Sequence, residues 1–135
     1  MATVPLIADA EAAAEVRAVF DDIRATRKTD FINNFWRALA VHPPTLKRTW
    51  ESVKQVMGRG ALDPKVKEMI YIAVSVTNGC GYCIASHTAA ARQKGMTEAE
   101  LMELISVIGM ANETNSLVTA LRVPIDEVFS AAPKA

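Results

Sequence analysis

Four residues near the middle of the chain are of types that do chemistry together. The two cysteines form a single Cys-x-x-Cys pair, Cys80 and Cys83; His87 follows four residues after the second, and Glu68 stands twelve before the first. On a helix that opens at Cys80, Cys83 lies at i+3 and His87 at i+7, so at about 100° per residue all three fall within an arc of about 60°. Cys83 and His87 are an i, i+4 pair, which places the imidazole to take the proton of Cys83. Both sulfurs belong to the first helical turn, where unsatisfied N–H groups and the helix dipole favour thiolate over thiol. A turn at "NG", Asn78 and Gly79, would bring Glu68, ten residues before it, level with His87 on a returning helix. Glu68 precedes Ile72 by four and Val76 by eight, which sets a carboxylate on an apolar face where it needs a partner. Glu68, His87 and Cys83 form a carboxylate–imidazole–thiol relay, with Cys80 ready to resolve a sulfenic acid on Cys83. In that relay burial is expected to raise the proton affinity of Glu68.

Other chemistries for the same residues meet obstacles. A zinc site would have to close a tetrahedral shell from Cys80, Cys83 and His87 on one helix plus Glu68, which is awkward. Haem attachment needs histidine directly after the second cysteine, and Ile84 stands there. A thioredoxin-like site needs strands around the motif, whereas apolar residues here recur with the helical period and nowhere alternate. A structural Cys-x-x-Cys remains open from the residues alone. Tyr82 either shapes the thiol pocket or packs beside it, and the sequence decides neither.

The elements that must position these groups are all helices. Asp9 is a candidate N-cap for a first helix whose Val16, Val19, Phe20 and Ile23 form one apolar face. A short segment over Phe31 to Leu39 ends at "VHPP", and Pro43 and Pro44 open the next helix, which carries Leu46, Trp50, Val53 and Met57. His42 is read as a loop or cap residue, and Trp36 and Trp50 as core or subunit contacts. Gly58 to Gly60 make a turn, after which Asp63 and Pro64 give an N-cap and a proline at the first helical position. The helix from Pro64 to about Thr77 is apolar on nearly every side and is expected at the buried centre of the fold. The next helix runs from about Cys80 to Lys94 and stops at Gly95; Arg92 and Lys94 read as its solvated, dipole-complementing end. "TEAE", Thr97 to Glu100, is a capping box, and the polar cluster Asn112 to Asn115 is expected to kink the last long helix before Pro124.

At 135 residues, half of them hydrophobic, the chain is expected to be one domain, 1–135, with a substantial core. Fifteen basic residues balance fifteen acidic ones, which gives no electrostatic reason to expect nucleic acid or an anionic membrane. No apolar run approaches the ~20 residues that span a bilayer, and a lone cysteine pair fits a reducing compartment, so the expected location is the cytoplasm. Apolar residues around most of the central helix point to a homo-oligomer. A non-enzymatic, redox-responsive assembly protein is the alternative from a different class.

The Glu68, Cys80, Cys83, His87 spacing resembles the core of the AhpD-like (alkyl hydroperoxidase D) proteins of the carboxymuconolactone decarboxylase superfamily. "LDPKVKEMIYIAVSVTNGCGYCIASHTAAARQKGMTEAEL" is similar to that core throughout, as are "ALAVHPPTL" before it and "ANETNSLVTALRVP" after it. The resemblance implies an all-α fold with a central antiparallel helix hairpin, assembly into trimers or hexamers, and thiol-dependent reduction of small hydroperoxides. By the same resemblance Cys83 attacks, Cys80 is its disulfide partner, Glu68 and His87 relay protons, and a dithiol or protein thiol is the reductant, with no cofactor or metal. The chain departs from well-characterised members, which are longer and carry histidine where Tyr82 stands. The decarboxylases of the superfamily lack the cysteine pair, which leaves reaction on a lactone acid a weaker alternative.

Overall fold

The structure is a computed structural model that describes residues 1–130; residues 131–135 of the expected domain lie outside the described residues. Every regular element among the described residues is a helix, and the described residues fall into two compact units, Met1–Gly60 and the residues from Ala61 onward.

In the first unit a short 3-10 turn, Asp9–Glu11, precedes α1 (Ala14–Arg27), α2 (Asn34–Leu39) and α3 (Pro43–Met57). The apolar face of α1 is the predicted one: Val16, Phe20 and Ile23 are buried, with Val19 packed at their edge. They meet Leu46 and Trp50 of α3 and Trp36 of α2, whose indole stands edge-on to Trp50 at 5.5 Å. The indole N–H of Trp50 donates to Asp22, 2.6 Å away, so the one polar atom of this large side chain is satisfied. Pro43 and Pro44 open α3 because the first turn has no use for their missing N–H groups. His42 is the N-cap residue there, its Nδ1 2.8 Å from Thr45 Oγ1.

Asp9 departs from expectation. It lies in the 3-10 turn rather than at the start of α1, whose N-cap is Ala13. Its carboxylate instead joins Arg24 of α1 and Arg37 of α2, the latter at 2.7 Å. Two guanidinium groups outbid the weaker reward of capping one helix.

The second unit holds α4 (Pro64–Thr77), α5 (Gly81–Gln93), α6 (Glu98–Leu121) and α7 (Glu127–Ser130). Asp63 caps α4 by accepting from the Lys65 backbone N–H at 2.8 Å, with Pro64 just inside. Thr97 and Glu100 close the capping box on α6. α4 packs against both α5 and α6 around Ile72, Ala91, Met96 and Leu101.

The central helix is not buried all round. Val66, Ile70 and Val74 repeat every fourth residue and stay exposed, Ile70 by 48% and Val74 by 54%. One stripe of α4 is used within the unit and the other faces away from it. The polar cluster does not end α6, which runs as one helix from Glu98 to Leu121. There Thr114 and Ser116 bond back to the Ala111 and Asn112 carbonyls, so their hydroxyls are absorbed by the helix itself. No helix among the described residues is long and apolar enough to cross a membrane.

Candidate functional site

The α4–α5 hairpin is set by how α4 ends. Gly79 has φ +68, the left-handed region that a glycine enters without steric cost. The Cys80 N–H then donates to the Ser75 carbonyl at 2.9 Å and the Gly79 N–H to the Val76 carbonyl at 3.1 Å, a Schellman motif. That reversal delivers Cys80 directly as the N-cap of α5, where its Sγ accepts the Cys83 backbone N–H at 3.4 Å. Cys80 is thus outside the helix proper, and Cys83 and His87 are its first-turn and second-turn neighbours.

Antiparallel return brings Glu68 and His87 together: Glu68 Oε2 lies 2.6 Å from His87 Nδ1. Glu68 is only 6% exposed, and its other oxygen receives the Lys94 ammonium at 2.7 Å. Lys94 is the C-cap residue of α5, placed by a second Schellman motif in which Met96 N–H donates to Ala91 at 3.0 Å and Gly95 N–H to Arg92 at 2.9 Å. The Tyr71 ring stacks on the His87 imidazole, centroids 3.6 Å apart and planes 18° from parallel. The four predicted residues therefore share one hairpin, with Glu68 in contact with His87 and Cys83 in contact with Cys80. Tyr82 is 48% exposed.

Each partner leaves an electrostatic mark. Burial pushes the Glu68 carboxyl up, but hydrogen bonds from His87 and Lys94, together with their charges, outweigh it and hold the group below the usual carboxylate range. This overturns the expected rise in proton affinity: the sequence reading counted the burial and missed the lysine. The thiols, both free, titrate as a pair. Cys80 is lowered, chiefly by the hydrogen bond from the Cys83 thiol and next by the Cys83 backbone N–H. Cys83, held protonated chiefly by its hydrogen bond to Cys80 and then by desolvation, is pushed up to about 11. Burial, and then the negative charges of Cys83, Cys80 and Glu68, raise the Tyr71 phenol.

The hairpin therefore brings together two thiols, one eased and one hindered in its ionisation, a carboxylate-bound imidazole, and a phenol whose ionisation both sulfurs oppose. Sequence reasoning missed Lys94 and Tyr71. Tyr71 lies three residues after Glu68 on the same helical face, a signal that was present but that an aromatic residue at helical spacing shares with core packing. Lys94 was read as a solvated helix end; Arg92 does point away, to Glu98 at 2.8 Å, but Lys94 does not. Among the described residues no group of three or more His, Cys, Asp or Glu side chains is arranged to hold a metal ion.

An all-helical protein with a Cys-x-x-Cys pair and a buried Glu–His couple on one hairpin is AhpD-like in fold and layout. The family model described as the carboxymuconolactone decarboxylase family matches residues 43–126, and the chain belongs to that family. The crystal structure of the alkylhydroperoxidase AhpD core from Rhodospirillum rubrum superposes with a TM-score of 0.95 at 61% identity, over 98% of this chain and 99% of that one. An alkyl hydroperoxide reductase AhpD from Solibacter usitatus is 34% identical over 74 residues, 55% of this chain and 40% of its own length. An uncharacterised protein of the cox locus of Paracoccus denitrificans is 41% identical over 54 residues, 40% of this chain and 49% of its own length. The matched stretches thus span half or less of these two curated relatives.

Proposed function

We propose that the protein is a thiol-dependent peroxidase that reduces small alkyl hydroperoxides with the Cys80–Cys83 pair and is regenerated by a dithiol donor. The observation that carries this reading is the 2.6 Å contact between buried Glu68 and His87 in the hairpin that holds both cysteines. A merely structural cysteine pair has no need of an imidazole oriented by a carboxylate. The names of the Rhodospirillum rubrum and Solibacter usitatus proteins support the same chemistry.

In the cycle His87 takes the Cys83 proton as Cys83 sulfur attacks one peroxide oxygen. An S–O bond forms, the O–O bond breaks, and the leaving alkoxide takes the proton back from His87 to depart as alcohol. Cys80, already the more ionised thiol, attacks the Cys83 sulfenic acid; an S–S bond forms, the S–O bond breaks, and hydroxide leaves and is protonated to water. Peroxide gains two electrons and the two cysteines lose two, which the dithiol donor returns. Glu68 stabilises the transient imidazolium. Cys83 is assigned the attack because it stands four residues before His87 on α5, the imidazole that takes its proton.

The working form is a homo-oligomer, as the unpaired apolar stripe of Val66, Ile70 and Val74 supports, and its reducing setting is the cytoplasm. The test is consumption of an alkyl hydroperoxide by wild-type and Cys83→Ser protein with a dithiol donor. Turnover in the wild type alone is expected, and equal rates in both would refute the assignment.

A further inference from the structure

We infer that Lys94 is a positioning residue of the dithiol site: seated on one oxygen of Glu68, its ammonium keeps the carboxylate charged and aimed so that the other oxygen holds His87 in a single tautomer, N–H at Nδ1 and a free Nε2. The inference deepens the peroxidase reading and rests on it for what Nε2 then does.

The geometry divides Glu68 cleanly between two partners. Oε1 receives Lys94 Nζ at 2.7 Å, and Oε2 lies 2.6 Å from His87 Nδ1. A carboxylate this deeply buried needs both. Lys94 itself is 39% exposed, so solvent was available to it, yet it reaches across the hairpin to a residue 26 positions earlier. Its backbone is fixed by the Schellman motif at Gly95, whose φ is +89, and by Met96, buried in the core immediately after. Arg92, a turn-mate with the same charge, is occupied by Glu98.

Removing the ammonium changes the balance at Glu68. Burial, which raises its proton affinity, would then be opposed by His87 alone. A proton could settle on the carboxyl, and a carboxylic acid donates to Nδ1 instead of accepting from it, which moves the imidazole proton to Nε2 and removes the base. Tyr71, one turn further along α4, feels the Glu68 charge and that of both thiols. Lys65, one turn back on α4, is engaged by Glu100 of α6 at 2.7 Å.

The experiment compares wild type, Lys94→Met, Lys94→Gln and Lys94→Arg as reduced full-length protein. Nitrogen-15 NMR of the His87 ring reads the tautomer across the acid and neutral range, and hydroperoxide turnover with a dithiol donor reads the acid limb of the rate profile. Wild type and Lys94→Arg should show the Nδ1–H tautomer and the same acid limb. In Lys94→Met and Lys94→Gln the Nε2–H tautomer should appear, and the acid limb should move up by about one pH unit, the shift expected when a carboxylate loses a nearby cation. An unchanged tautomer and an unchanged limb in both neutral variants would overturn the inference. Should the wild type fail to turn over, the peroxidase reading falls, and the tautomer measurement still decides the role of Lys94.

Discussion

Each cysteine is the main influence on the ionisation of the other. Cys80 is lowered first of all by the thiol of Cys83, and Cys83 is pushed up to about 11 first of all by Cys80. Removing either should therefore bring the survivor back toward the ordinary thiol value of ~8.5. In Cys83→Ala, the pH midpoint for alkylation of Cys80 is expected to rise; in Cys80→Ala, that of Cys83 is expected to fall from its raised value. Midpoints that stay where the wild-type pair has them would show that the helix N-terminus, and not the neighbouring thiol, sets the thiol chemistry. The contact between Glu68 and His87 could be read from residue numbers because helical rise is constant and the turn was marked by Asn78 and Gly79. The sign of the Glu68 shift could not. It depends on Lys94, a C-cap residue just past the last turn of α5, where helical periodicity no longer says which way a side chain points.

At the scale of the element, the site depends on the reversal between α4 and α5. Gly79 and Gly81 flank Cys80, and an added Cβ at either would meet no atom within 4 Å. They differ in backbone: only Gly79 sits at positive φ. Gly79→Ala should then cost about 1–2 kcal/mol in urea unfolding, the penalty of an L-residue in the left-handed region. Gly81→Ala, at the first position of α5, should be neutral or stabilising by up to ~1 kcal/mol. Equal losses in the two variants would mean that something other than φ governs the turn. The boundaries of α3, α4, α5 and the start of α6 were legible because proline, Asp63, Gly95 and the Thr97–Glu100 box each answer a specific unsatisfied backbone group. Asp9 was misread because two arginines offered its carboxylate rival bonds.

For the whole molecule, the surface left apolar is as informative as the site. Val66, Ile70 and Val74 on α4 and Met102, Ile105 and Met110 on α6 are exposed, although a helix as apolar as α4 reads from sequence as fully buried. Periodicity reports that a face is apolar, not whether its cover comes from the same chain. The expected outcome of light scattering at micromolar concentration is a multiple of the single-chain mass, and a monomer would remove the proposed assembly. The claim on which the rest turns is that the hairpin converts hydroperoxide to alcohol catalytically. Its most direct measurement is steady-state consumption of cumene hydroperoxide with dihydrolipoamide as donor, in wild type, Cys83→Ser and Glu68→Gln. Repeated turnover in the wild type, none in Cys83→Ser, and a loss of about 100-fold in Glu68→Gln are predicted for a site whose relay supplies the general base. Rates indistinguishable among the three proteins, or consumption that stops after one equivalent in the wild type, would contradict it.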